Sequence, residues 1–291
     1  MNKLLFYIIV CLPTISSALC IDYKNQVNQA VQTKNFDQLK ELLPTLEKEG
    51  CASNYIEALQ NKLAQIIAVK ADELMMNGQF EQARALLQRS TIVNWETQII
   101  RADIAAFEGN WQKATKLYDQ SLDLINDPQA TPQAPDTETI QKIFQLASEA
   151  QILAGTLDSS RPVEHGIMLD DIRGFKPDKL LIPIKFEFNK SALSLEGEKS
   201  AQQLGKYIEQ HDFQKIILIG HTDAKGSNII NDKISVQRAL TLKNYLKKIG
   251  VKIPITAIGQ GKRTPLMLDD INRYTEEEIN SLNRRVEVIT E

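Results

Sequence analysis

Chemistry-bearing side chains are scarce in this chain. Three histidines, His165, His211 and His221, are scattered without ligand-like spacing, and there are three cysteines. No G-x-S-x-G, H-E-x-x-H or catalytic cysteine arrangement occurs. Gly259-Gln260-Gly261-Lys262 lacks the spacing and following helix of a phosphate loop and reads as a turn. The expectation is a protein that is not an enzyme and that carries neither cofactor nor metal. Charge of one sign is not in excess either. Lys plus Arg number 34 against 37 Asp plus Glu, a net charge of −3, which leaves no electrostatic footprint for nucleic acid. Beyond the first dozen residues no apolar run approaches membrane-spanning length.

That first run is short. Lys3 precedes Leu4 to Leu12, and Ser16-Ser17-Ala18 supplies a small-x-small cleavage site, so residues 1–18 read as a secretory signal peptide. An alternative is a lipoprotein acylated at Cys20. Leu19 is bulky where lipoprotein signals have a small residue, which argues against it. Removal of the signal takes Cys11 with it and leaves Cys20 and Cys51, an even pair expected to form one disulfide in an oxidising compartment. The expectation is an exported, soluble protein cut after Ala18.

Proline is also rare early on. Pro44 is the single proline between Ile21 and Ile125, and the spacing there is helical throughout. Within it Gly78-Gln-Phe80-Glu-Gln-Ala83 recurs 31 residues later as Gly109-Asn-Trp111-Gln-Lys-Ala114, with a weaker copy at Lys34-Asn-Phe36. Each motif follows a helical stretch. Gly would serve the turn, the aromatic would wedge between helices, and Ala would let backbones approach. The pattern resembles tetratricopeptide repeats, although their usual period is 34 and their terminal Pro is missing. An irregular helical bundle is the plainer alternative. The resemblance implies a protein-interaction domain over residues 19–155, whose partner would be another envelope protein.

Prolines return at Pro128, Pro132 and Pro135 in a spacer, helical spacing resumes from Thr137 to about Gly155, and 156–177 reads as a linker. The pattern then changes. Leu180, Ile182, Ile184, Phe186 and Phe188 alternate as a half-buried strand; a helix follows with Leu193, Ala201, Leu204 and Ile208 on one face. Ile216 to Ile219 is a second strand, and Ile234, Ala239, Leu242, Leu246 and Ile249 mark a second helix. Ile253–Ile258 and Arg285–Ile289 complete four strands of a mixed sheet with helices packed on it.

Between the second strand and second helix lie His221, Thr222 and Asp223, and Arg238 follows fifteen residues after the acid. An acid and a guanidinium facing one gap could grip a ligand with both an ammonium and a carboxylate, or could be a plain surface ion pair. IKFEFNKSAL, IGHTDAKG, N-x-x-I-S-x-x-R-A from Asn231, G-x-G at Gly259, Pro265 and NRRVEV from Asn283 occur in order. Together they resemble the OmpA-like peptidoglycan-binding domain, shared with Pal lipoproteins and flagellar stator proteins, over residues 178–291. The resemblance implies binding of the meso-diaminopimelate in cell-wall stem peptides by a periplasmic, wall-associated protein. Outer-membrane association is the alternative location, and a scaffold of a secretion, motility or division complex, acting through the repeats, is the alternative function. Asp223 matches the family's ammonium-binding acid and Arg238 its carboxylate-binding arginine; Thr222, Asn231 and Arg284 are further site candidates. His221 reads as structural.

Overall fold

The computed structural model describes residues 20, 22–90, 92–155, 166–187 and 191–291. The expected signal peptide lies outside them. The described residues hold ten α-helices and, near the C-terminus, one four-stranded mixed sheet flanked by helices. They group into two compact units, one ending at Ile104 and one running from Ala105 to Glu291.

The first unit contains α1 (Lys24–Gln32), α2 (Phe36–Lys48), α3 (Ser53–Met76), α4 (Phe80–Gln88) and most of α5 (Trp95–Phe107). Consecutive helices α1 to α4 pack on one another around Val27, Phe36, Leu46, Leu59, Ile67 and Leu87. The repeated motif shows its physical reasons. Gly78 follows α3 with φ +74° and Gly109 follows α5 with φ +70°, the left-handed conformation that a side chain disfavours. Ala83 and its equivalent Ala114 have no exposed surface. In the weak copy Lys34 stands in the glycine position and still takes φ +51°. Asn35 and Asn110 then cap the helices that follow, each accepting from a backbone N–H three residues on. Cys20 and Cys51 are bonded, with Cα atoms 5.8 Å apart, tying the chain ahead of α1 to the α2–α3 junction. Closing a loop of that length contributes roughly 3–4 kcal/mol by chain entropy.

The second unit begins with α6 (Trp111–Asn126) and α7 (Thr137–Ala154), which pack against each other. Asp136 caps α7, and Gly155 ends it with φ +73°. Packing groups these two helices with the sheet, whereas sequence pattern places a boundary at 156–177; residues 156–165 of that stretch lie outside the described residues. The sheet consists of β1 (Leu180–Ile182), β2 (Ile216–His221), β3 (Ile255–Gly261) and β4 (Val286–Thr290) in the order β1-β4-β2-β3. β4 is antiparallel to both β1 and β2, and β2 is parallel to β3. Helix α8 (Leu195–Gln210) buries Ala201, Leu204 and Ile208, as expected. Helix α9 (Asn228–Lys248) packs on β2, β3 and α8. The short α10 (Glu276–Asn283) packs on α7.

Several expectations change. The first strand stops at Ile182, because Pro183 has no N–H to donate to a ladder. Phe186 instead bridges Leu193 across a loop closed by Ser194 N–H donating to Lys185 O at 3.0 Å; Phe188 lies outside the described residues. Gly259 and Gly261 are not a turn but the end of β3. On α9 the buried face is Asn231, Ser235, Ala239, Leu242 and Leu246, while Ile249 is 37% exposed. Helix α10 is absent from the sequence reading altogether.

Candidate functional site

The site is built where α9 meets the ends of β2 and β3. Ser235 is fully buried there because Gly220 on β2 and Gly259 on β3 face it. A Cβ on Gly220 would collide with the Ser235 carbonyl oxygen, and one on Gly259 with the Val236 amide. Glycine at both positions lets α9 sit directly on the strands. Ser235 Oγ accepts from Gly261 N–H at 3.0 Å and donates to Asp232 O at 2.9 Å, which fixes the helix along its axis. Arg238 follows three residues further along the same helix.

The loop from β2 to α9 is held from both sides. Thr222 N–H donates to Gly261 O at 2.9 Å, and Asn231 Nδ2 donates to Lys225 O at 2.9 Å. Lys262 Nζ donates to Ala224 O and Gly226 O at 3.2 and 2.8 Å. Asp223 Oδ1 closes a local turn by accepting from Lys225 N–H at 3.1 Å. Its other oxygen, Oδ2, faces the site. Ser227 caps α9.

The structure brings Asp223, Arg238 and Arg284 together, with Thr222 and Asn231 buried beneath them. The direct ion pair, however, is Asp223 with Arg284, whose Nη1 donates to Oδ2 at 2.9 Å. The side chains of that pair are 15% and 33% exposed. Arg238 makes a different contact: its guanidinium lies over the Phe186 ring, 5.1 Å from the centroid. Its Nε is buried and has no hydrogen-bond partner. Burial, and secondarily the charge of Arg284, push the Arg238 pKa down, while Asp223 pulls it up. For Arg284 burial opposes the charge, but hydrogen bonds to Asp223 and Glu277 outweigh it and the pKa is raised. Thr222 Oγ1 is buried without a hydrogen-bond partner.

Behind the site a second ionic cluster holds β4. Arg285 Nε and Nη2 donate to Glu287 Oε1 at 3.0 and 2.6 Å, and Lys179 Nζ donates to the same oxygen at 3.0 Å. Burial alone would raise the Glu287 pKa; His221, Arg285 and Lys179 reverse that and hold it far below the ordinary range. His221 is 1% exposed, with Nδ1 3.1 Å from Thr264 Oγ1 and Nε2 3.6 Å from Glu287 Oε1. His221 is thus enclosed between Thr264 and Glu287. Among the described residues no group of His, Cys, Asp and Glu could hold a metal ion. The consecutive arginines therefore divide the work: Arg285 anchors the strand and Arg284 enters the site.

Sequence reasoning missed Phe186 as a platform and Glu277 as a partner of Arg284. Glu277 Oε1 accepts from Arg284 Nη2 at 2.7 Å. A signal for the second was present, since Thr275-x-x-Glu278 is a capping box that starts α10 and so places Glu277. Phe186 carried no such signal, because alternation reads an aromatic as core.

Residues 185–278 match the family model described as OmpA family, and the C-terminal region is an OmpA-like domain. Outer membrane protein A of Shimwellia blattae is 36% identical over 86 residues, 28% of this chain and 36% of that protein. The peptidoglycan-associated lipoprotein of Buchnera aphidicola is 32% identical over 107 residues, 36% of this chain and 59% of its own length. This chain thus spans less than two thirds of either relative. A solved structure of the peptidoglycan-associated lipoprotein from Burkholderia pseudomallei aligns with a TM-score of 0.32 and 22% identity, covering 40% of this chain and 91% of that one.

Proposed function

We propose that this chain binds peptidoglycan non-covalently, without catalysis, through the amino-carboxylate end of diaminopimelate in the stem peptide. Asp223 takes the ligand ammonium, and Arg238 takes its carboxylate. One observation carries the reading: a carboxylate lies beside two guanidiniums, one of which has a buried, unpartnered Nε and rests on an aromatic face. Two carboxylates, Asp223 and Glu277, stand among the Arg238 and Arg284 guanidiniums and the Lys225 ammonium, so the site presents charge of both signs, as a zwitterion requires. Arginine rather than lysine fits the carboxylate role because its planar fork donates two parallel bonds. Thr222 and Asn231 hold the loop that presents Asp223. The relative named as a peptidoglycan-associated lipoprotein supports the wall as ligand.

Sedimentation of the full chain with purified, insoluble peptidoglycan tests this. Asp223→Ala and Arg238→Ala are each expected to leave the protein in the supernatant while its melting temperature is retained. Undiminished sedimentation of both variants rules out the site. The helical repeats are proposed to hold an envelope protein, and the chain to be periplasmic and wall-attached. A Cys20 sulfur consumed in the disulfide is not available for a thioether-linked lipid, which supports attachment through the wall and not through acylation. Cross-linking of the full chain in cell envelopes, read by mass spectrometry at lysines of α1 to α4, tests the partner. Reproducible cross-links to one envelope protein are expected, and their absence removes the adaptor role.

A further inference from the structure

The α10 first turn connects two features that the binding reading leaves unused. Arg284 is held at both nitrogens: Nη1 donates to Asp223, while Nη2 donates to Glu277 Oε1 and to Ser281 Oγ, both at 2.7 Å. Glu277 is therefore a second carboxylate for the guanidinium that sits on the ammonium-binding acid. Lys225 Nζ approaches Glu277 Oε2 at 3.9 Å from the β2–α9 loop.

The turn carrying Glu277 is fixed in its turn by the helical hairpin α6–α7. Trp111 Nε1 donates to Glu278 Oε1 at 2.8 Å, and the Trp111 ring stacks on Tyr274 with centroids 5.8 Å apart. The other oxygen of Glu278 accepts from Thr275 N–H and Oγ1, both at 2.8 Å. Tyr274 Oη donates to the buried Glu149 of α7, and Gln145 Nε2 donates to Met267 O at 2.9 Å. Arg273 Nη2 donates to Tyr118 Oη of α6 at 3.2 Å. Residues 267–278 are thus pinned along their length to helices that precede the OmpA-like domain.

We propose that Glu277 is a positioning residue for the ammonium end of the ligand, and that α6–α7 hold it in place through Trp111 and Tyr274. The inference rests on the binding reading above. A ligand ammonium arriving at Asp223 Oδ2 competes with Arg284 for the same oxygen. With Glu277 and Ser281 retaining its other nitrogen, the guanidinium yields that oxygen without losing its orientation. Without Glu277, Asp223 is the one carboxylate left to Arg284, and a two-bond pairing there covers the ammonium position. Glu277 is 67% exposed in its side chain, so its replacement leaves the fold alone.

The test is a titration of the full chain with two soluble muropeptides that end in diaminopimelate, one with its side-chain amine free and one with it acetylated. Glu277→Gln is expected to weaken the free-amine ligand roughly five-fold, the upper range for a partly exposed ion pair. It leaves the acetylated ligand, which has no ammonium to place, unchanged. Trp111→Phe keeps the ring stack but removes the donor to Glu278, and a smaller loss with the same selectivity is expected. Equal losses on both ligands, or none on either, overturn the proposal, because a general structural role or no role would then account for the data. A wild-type chain that binds neither muropeptide refutes the wall-binding reading itself and this inference with it. Wild-type binding with unaltered Glu277→Gln selectivity refutes only this inference.

Discussion

Single positions decide local geometry here, and Lys34 is the sharpest case. The repeated motif puts glycine after a helix because the backbone turns left-handed, and Gly78 and Gly109 comply at φ +74° and +70°. Lys34 occupies the same place at φ +51°, where a Cβ crowds the following carbonyl. Lys34→Gly is expected to raise stability by about 1 kcal/mol, read as a shift of the urea midpoint at unchanged slope. No gain would mean that the unfolded-state freedom of glycine offsets the relief. The same scale shows what residue patterns can and cannot convey. Asp223 and Arg238 were legible as candidates from their motifs, and they do converge. The partner that Asp223 actually binds, Arg284, was visible only as one of two adjacent arginines, and sequence gives no means of telling which faces the site. Arg284 caps the end of α10 and pairs with Asp223, whereas Arg285, just ahead of β4, is buried with Glu287.

At the scale of elements, a polar group buried between helices sets a pH response. Glu96 in the first turn of α5 is 5% exposed and accepts from Gln65 Nε2 at 3.0 Å, and Gln65 Oε1 accepts from Lys62 Nζ at 2.9 Å on α3. Burial raises the Glu96 pKa from 4.5 to about 7, against the opposing pull of its own backbone N–H, Gln65 and Lys62. A carboxyl with a raised folded-state pKa holds more protons folded than unfolded between those two values. Stability of the helical unit should therefore fall as pH rises from 4.5 to about 7 and level off above, by up to about 3 kcal/mol. Denaturant melts across that window check it, and Glu96→Gln should flatten the profile and stabilise the protein at pH 8. A wild-type curve that rises through the window contradicts the assignment. Elements with long periodic faces, such as α3, α7 and α8, were readable from apolar spacing. Helix α10 was not, because eight residues with three leading glutamates offer too little apolar face, and its one clue is the capping box at Thr275. The first strand was over-read because alternation continued past Pro183, which ends a ladder whatever follows it.

Across the whole molecule, helix α6 bears the last copy of the repeat's sequence pattern, yet with α7 it groups with the OmpA-like domain. Trp111, the aromatic of the last motif copy, stacks on Tyr274 in the loop ahead of α10, where the pattern suggested a wedge between helices. Repetition in sequence therefore did not reveal where the compact units divide, since the division depends on which neighbour an aromatic meets. The central claim is that one gap holds an ammonium at Asp223 and a carboxylate at Arg238. Calorimetric titration of the full chain with paired muropeptides, ending in diaminopimelate or in lysine, isolates the carboxylate end of that grip. Saturable binding of the diaminopimelate form, with the lysine form at least about ten-fold weaker as the loss of a charge-assisted pair implies, is the predicted result. Equal affinity for both would contradict the account.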